Sequence, residues 1–203
     1  AFGAFQIGKA AGTWGEVGCL SFYPTKNLGA LGEAGMCLTQ DWGLATKIRL
    51  LLNHGQPFRD QHELIGRNSR IDTLQAAFLN VMLEDFLLNQ NKRKAIAGKY
   101  LEAFSGIPEF ILPWGILEED HNAHLFVIQT EKRDELKDFL AQKGIGTAIH
   151  YPMILPEMKP FFQAGEFENS RILAHRGLSL PLNPYLTEEE VKFVLDHVKL
   201  FFE

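Results

Sequence analysis

The sequence predicts an α/β chain, and three observations carry that reading. Short apolar runs bounded by Gly and Pro alternate with longer segments of helical period, the pattern of strands interleaved with helices. Hydrophobic residues make up 46% of the 203 residues and charged ones 22%, a soluble globular composition able to bury a substantial core. Capping residues and glycines punctuate the helical stretches where starts and stops belong.

Taken in order, the opening AFGAFQIGKAAGTWG has no initiator Met and no capping signal, and reads as the middle of a hairpin. It suggests one part of a longer protein. Residues 17–23 (VGCLSFY) and 34–39 (AGMCLT) are predicted strands. From Asp41 the period becomes helical through Leu44, Ile48, Leu51 and Leu52, with Asp41 as N-cap and Gly55 as stop. Residues 53–70 form a polar loop, long enough to favour function or contact with another chain. Asp72 opens a helical pattern with Leu74, Ala77, Phe78, Val81, Met82 and Phe86 on one face. Periodicity then runs through Arg93, Ala97, Tyr100 and Phe104 to Gly106, with a break expected near Asn89–Asn91 because one helix of that length is unusual. Next come a strand at 124–130, a helix at 133–144, a strand at 145–151, a Pro-rich loop and a short helix near 169–177. The last helix starts at Thr187, which forms a capping box with Glu190. Two domains are expected, 1–88 and 89–203.

Composition also excludes functions. A net charge of −5 argues against a nucleic-acid partner, which needs surplus Lys and Arg. No apolar stretch is long enough to cross a membrane, and no secretory pattern opens the chain. Cys19 and Cys37 lie in strand-like runs outside any CxxC pair, so they read as buried thiols of a reducing compartment, and no metal site is expected. A cytoplasmic enzyme is the expectation.

The stretch SFYPTKNLGALGEAG at 21–35 carries the chemistry. Ser21 ends a strand and Lys26 sits in the following turn, the position where open α/β sheets place ligands. Gly29, Gly32 and Gly35 permit positive φ and close backbone approach to a ligand, and Pro24 stiffens the turn. A desolvated lysine amine can capture an aldehyde cofactor, and a serine hydroxyl can donate to an anionic group. On residues alone, however, Lys26 reads first as a turn charge, Asn68 as a turn-forming asparagine and His150 as a core histidine with a satisfied ring.

SFYPTKNLGALGEAG resembles the lysine motif of the DegT–StrS group of pyridoxal phosphate-dependent nucleotide-sugar aminotransferases, of fold type I. GRNSRID at 66–72, LQAA at 74–77, HLFVI at 124–128, GIGTAIHYP at 144–152 and LSLPLNPYLTEEEV near the end are similar to its later segments, so the resemblance runs along the whole chain. It implies the end of the large-domain sheet (1–88) and the small α+β C-terminal domain (89–203). It further implies that Lys26 carries pyridoxal 5′-phosphate and moves protons between Cα of the amino donor and C4′ of the cofactor. Ser21 would hold the phosphate, with Asn68 reaching it from the partner subunit of a homodimer with shared sites. His150 and Tyr151 become substrate-pocket residues, and His54 and Arg70, with Arg59 and His62 nearby, could meet a nucleotide diphosphate. The implied reaction passes an amino group, from glutamate as the expected donor, to a keto carbon of a nucleotide-linked sugar. The alternatives are a non-catalytic regulatory relative and the dehydratase branch, which has His where this chain has Lys26.

Two departures stand out. Ala34 replaces a usual Gly, and no further His follows His150-Tyr151-Pro152. The resemblance also places the aspartate that pairs with the pyridine nitrogen before residue 1. The 203 residues by themselves are therefore expected to transaminate poorly.

Overall fold

The computed structural model describes residues 1–203. They divide into two compact units. One comprises Ala1–Asn89 with Glu119–Asn122, the other Gln90–Glu118 with Ala123–Glu203.

The first unit opens with a minimal hairpin, β1 (Phe5–Gln6) and β2 (Lys9–Ala10). Its principal ribbon pairs β3 (Gly18–Ser21) antiparallel with β4 (Gly35–Leu38), in the register Gly18↔Leu38, Cys19↔Cys37, Leu20↔Met36 and Ser21↔Gly35. The pleat sends Leu20 into a core with Phe22, Leu28, Ala30, Leu79 and Phe86. Cys19 and Ser21 point the other way and are exposed. Both cysteines are thus exposed thiols, where burial was expected. The reason is that β3 and β4 form only a two-stranded ribbon, covered on one face.

Helix α1 (Trp42–Leu52) starts where the sequence places it, since Asp41 Oδ1 accepts the Leu44 N–H at 2.9 Å. Helix α2 (Thr73–Glu84) follows the loop, and α3 (Phe86–Phe104) follows α2 after a single residue. The break falls at Asp85 rather than near Asn89–Asn91. Asp85 leaves helical geometry at φ −95° and ψ 5°, and its carbonyl accepts the Asn89 N–H at 2.9 Å, as the residue ahead of a helix does. Asn89 and Gln90 are instead buried inside α3.

The second unit is built on β5 (Phe126–Gln129) and β6 (Gly177–Leu180), again antiparallel. Single bridges extend this pair on both edges, Ile111 to Gln129 and Ala148 to Ser179. The strand expected at 145–151 is reduced to that one bridge. Gly144, at φ +75°, turns the chain out of α4 (Arg133–Gln142), and only Ala148 comes into register, exchanging 3.2 and 2.8 Å hydrogen bonds with Ser179. Helix α5 (Glu168–Arg176) runs directly into β6, and α6 (Glu188–Phe202) closes the unit. The core holds Tyr100, Phe104, Phe126, Ile128, Leu136, Leu140, Leu178 and Val198. Burying side chains of this size contributes about 1.5–3 kcal/mol each.

Candidate active site

The Lys26 turn hangs on two backbone anchors. Phe22 donates its N–H to Ala34 O (2.9 Å) and accepts the Ala30 N–H on its own carbonyl (2.8 Å), so both sides of the 22–34 segment are pinned to one residue. Within it, Tyr23 O accepts the Lys26 N–H at 2.8 Å, and the Tyr23 N–H donates to Ser21 Oγ at 3.3 Å. Ser21 and Lys26 are thereby tied to the same residue. Asn27 Nδ2 donates to Asn122 O (2.7 Å), and the Leu31 N–H to Gln75 Oε1 on α2 (2.8 Å). The Lys26 side chain is half-buried. Its amine enters no ion pair and no side-chain hydrogen bond.

The glycines of this stretch act differently from the expectation. None of Gly29, Gly32 and Gly35 has positive φ. Gly29 and Gly35 instead permit protein backbone to approach protein backbone. A Cβ on Gly29 would lie 2.5 Å from Pro24 O, and one on Gly35 2.9 Å from Leu20 O. Ala34 sits at ordinary negative φ, so replacing the usual Gly there imposes no strain.

His54, Asn68 and Arg70 gather at the end of α1. Asn68 bridges Asn53, and an Arg70 guanidinium N–H donates to Asn53 Oδ1. The His54 N–H donates to Arg67 O (3.0 Å), the Arg67 N–H to Leu51 O (2.8 Å) and the Ser69 N–H to Leu52 O (3.0 Å). The long polar loop is therefore folded back on α1 rather than free. Gly55 makes this possible, since a Cβ there would sit 1.7 Å from Leu64 O and its φ is +73°. The His62 ring bonds His54 O at 2.9 Å, and Arg59 contacts only Asp60, in full exposure.

His150 and Tyr151 belong to the second unit and are both exposed. The peptide between them is cis, and His150 Nδ1 lies 2.8 Å from Ser179 Oγ. Ser179 escaped the sequence reading. It pairs with His150 only because Ala148 bridges it across 31 residues of chain, a register that no local pattern announces.

A groove of about 770 Å³ lies in the first unit against β3, β4, α1 and α2, lined by residues including Leu20, Met36, Leu38, Ile48 and Leu79. It is apolar, and Lys26 does not line it.

The first unit thus presents a half-buried lysine on a pinned turn beside a strand-end serine. The chain belongs to the DegT/DnrJ/EryC1/StrS aminotransferase family, whose model matches residues 1–199. It is 36% identical over 208 residues to a dTDP-3-amino-3,4,6-trideoxy-alpha-D-glucose transaminase of Streptomyces venezuelae, covering 100% of this chain and 55% of that protein. It is 38% identical over 193 residues to a UDP-N-acetyl-3-dehydro-alpha-D-glucosamine 3-aminotransferase of Acidithiobacillus ferrooxidans, covering 94% of this chain and 52% of the relative. Among solved structures, DesV of S. venezuelae matches with a TM-score of 0.88 and 36% identity, over 97% of this chain and 54% of that one. The chain thus spans about half the length of these relatives. Its mixed α/β fold is that of the matching aminotransferase structures over the shared half.

Proposed function

We propose that this chain carries the lysine half of an aminotransferase that moves an amino group, by way of pyridoxal 5′-phosphate, from an amino acid to a keto group of a nucleotide-linked sugar. The observation that carries the reading is the Lys26 amine, unpaired on a turn fixed by backbone bonds and tied through Tyr23 to Ser21. The residues present fit the cofactor. Ser21 Oγ already accepts the Tyr23 N–H, which leaves its own O–H to donate to a phosphate oxygen. When bound, the cofactor supplies an electron sink for breaking a Cα–H bond. Lys26 would hold the cofactor through its amine and would serve as the group that moves a proton to and from Cα of the amino donor. Lysine at position 26 favours transamination over the dehydratase branch, which lacks such an amine.

His54, Asn68 and Arg70 are proposed to meet phosphate groups, Asn68 that of the partner subunit's cofactor, and His150 and Tyr151 to line the sugar pocket. A homodimer in the cytoplasm with shared sites fits these assignments. The apolar stripe on α2 supports an assembly that covers it, since Leu74 and Val81 are 71% and 64% exposed. No helix of the chain is long and apolar enough to cross a membrane. The large-domain and small-domain assignment, 1–88 and 89–203, belongs to the same proposal.

The test is borohydride trapping. The chain is incubated with pyridoxal phosphate, reduced and digested. The expected result is a pyridoxyl label concentrated on the Lys26 peptide and lost in Lys26→Ala. A label spread over surface lysines, unchanged by Lys26→Ala, would refute the reading.

A further inference from the structure

Cys19 and Cys37 stand opposite each other across β3 and β4. The phase of the ladder follows from the Phe22 N–H donating to Ala34 O. Hydrogen-bonded and non-hydrogen-bonded pairs alternate along an antiparallel ladder, so Leu20/Met36 and Gly18/Leu38 are bonded pairs and Cys19/Cys37 is a non-bonded one. Residues opposed in that way have Cα atoms about 4.5 Å apart, with side chains in their closest cross-strand approach. A disulfide spans Cα separations of about 4.4–6.8 Å, so this position accepts one at the short end of the range. Both thiols are exposed to a dissolved oxidant. Local burial, and after it the neighbouring Cys19, pushes the Cys37 thiol above its ordinary value, in keeping with two side chains that are cross-strand neighbours.

We propose that Cys19 and Cys37 are a reversible cross-strand redox pair, closing to an intramolecular disulfide with low-molecular-weight disulfides of the glutathione class. One thiolate attacks oxidised glutathione, forming a mixed disulfide and releasing one glutathione thiolate. The second cysteine gives up its proton and attacks the chain's sulfur in that mixed disulfide, forming the Cys19–Cys37 bond and releasing the second glutathione. Two protein thiols are oxidised, one glutathione disulfide is reduced to two thiols, and the electrons balance. A disulfide at this exposed position is more readily reduced than a buried structural one, which makes the step reversible. This inference is independent of the cofactor reading.

The test is thiol counting on the native chain before and after exposure to oxidised glutathione, with mass spectrometry of the products. The expected result is joint loss of both thiols, the only two in the chain. No glutathione should be retained, the peptides of Cys19 and Cys37 should be cross-linked, and dithiothreitol should restore both thiols. Retained glutathione on either cysteine, a chain-to-chain disulfide, or two thiols that survive the treatment would each overturn the proposal.

Discussion

Replacing Gly29 by Ala tests whether the Lys26 turn is rigid for the reason given above. The backbone at Gly29 is not in the left-handed region, so alanine meets no torsional penalty. Its Cβ would lie 2.5 Å from Pro24 O and 2.9 Å from Pro24 C. Close carbon–oxygen contacts settle near 3.3 Å, so the two strands of the turn must part by about 0.8 Å. The obstacle is backbone and cannot rotate away. Overpacking of this kind costs about 1–3 kcal/mol, and the neighbouring Ala30-to-Phe22 bond, worth about 0.5–1.5 kcal/mol, is put under the same displacement. With a loss of about 2 kcal/mol and a urea slope of about 2 kcal/mol/M, the unfolding midpoint should fall by about 1 M. Tryptophan fluorescence provides the assay, because Trp14 and Trp42 belong to the same unit as Gly29. Gly15→Ala, in the same unit, is the control. The nearest atom to the added carbon is Val17 O at 4.0 Å, and the φ of Gly15 is not positive. Its midpoint should hold or rise, by no more than about 1 kcal/mol of stability. A Gly29→Ala midpoint equal to that of the wild type would refute the close-packed turn and, with it, the account of how Lys26 is presented.

Three further outcomes are expected. Thr187→Ala removes the acceptor for the Glu190 N–H (3.2 Å) and should cost about 1 kcal/mol, lowering the melting temperature by about 2–4 °C, whereas Thr187→Ser should restore most of it. Phe126→Ala empties the centre of the second unit, where Phe126 is fully buried edge-on to Tyr100, and should cost about 3–5 kcal/mol by urea titration. Tyr100 donates its hydroxyl to Pro181 O at 2.8 Å, and burial pushes its ionisation well above the usual tyrosine range. A folded-state value above the unfolded one means stability is complete below about pH 10 and falls as pH rises beyond it, by about 1.4 kcal/mol per pH unit. Tyr100→Phe should lose about 1 kcal/mol at neutral pH yet flatten that alkaline slope, and identical slopes for the two chains would sink the assignment.

What could be read from the sequence was what local chemistry decides. Asp41 and Thr187 cap their helices through side-chain oxygens three residues from their donors, and the 18–21 and 35–38 strands lie inside apolar runs bounded by Gly and Pro. What could not be read depended on partners far along the chain. The apolar stripe of α2 is visible in the periodicity, but periodicity does not say what covers a face. The first unit buries Leu79 and Phe86 and leaves Leu74 and Val81 out. The exposure of Cys19 and the Ser179–His150 pair fail for the same reason, since both depend on which strand lies alongside. The glycines around Lys26 are the instructive middle case. Their identity signals a special backbone, and the expectation of room for a ligand followed from positive φ. With φ ordinary at all three, the space at Gly29 and Gly35 is already taken by Pro24 and Leu20. The missing side chains there serve the protein's own closure, and that closure holds Lys26 and Ser21 to one residue between them. For the role proposed for Lys26, such a fixed base would matter more than empty space beside it.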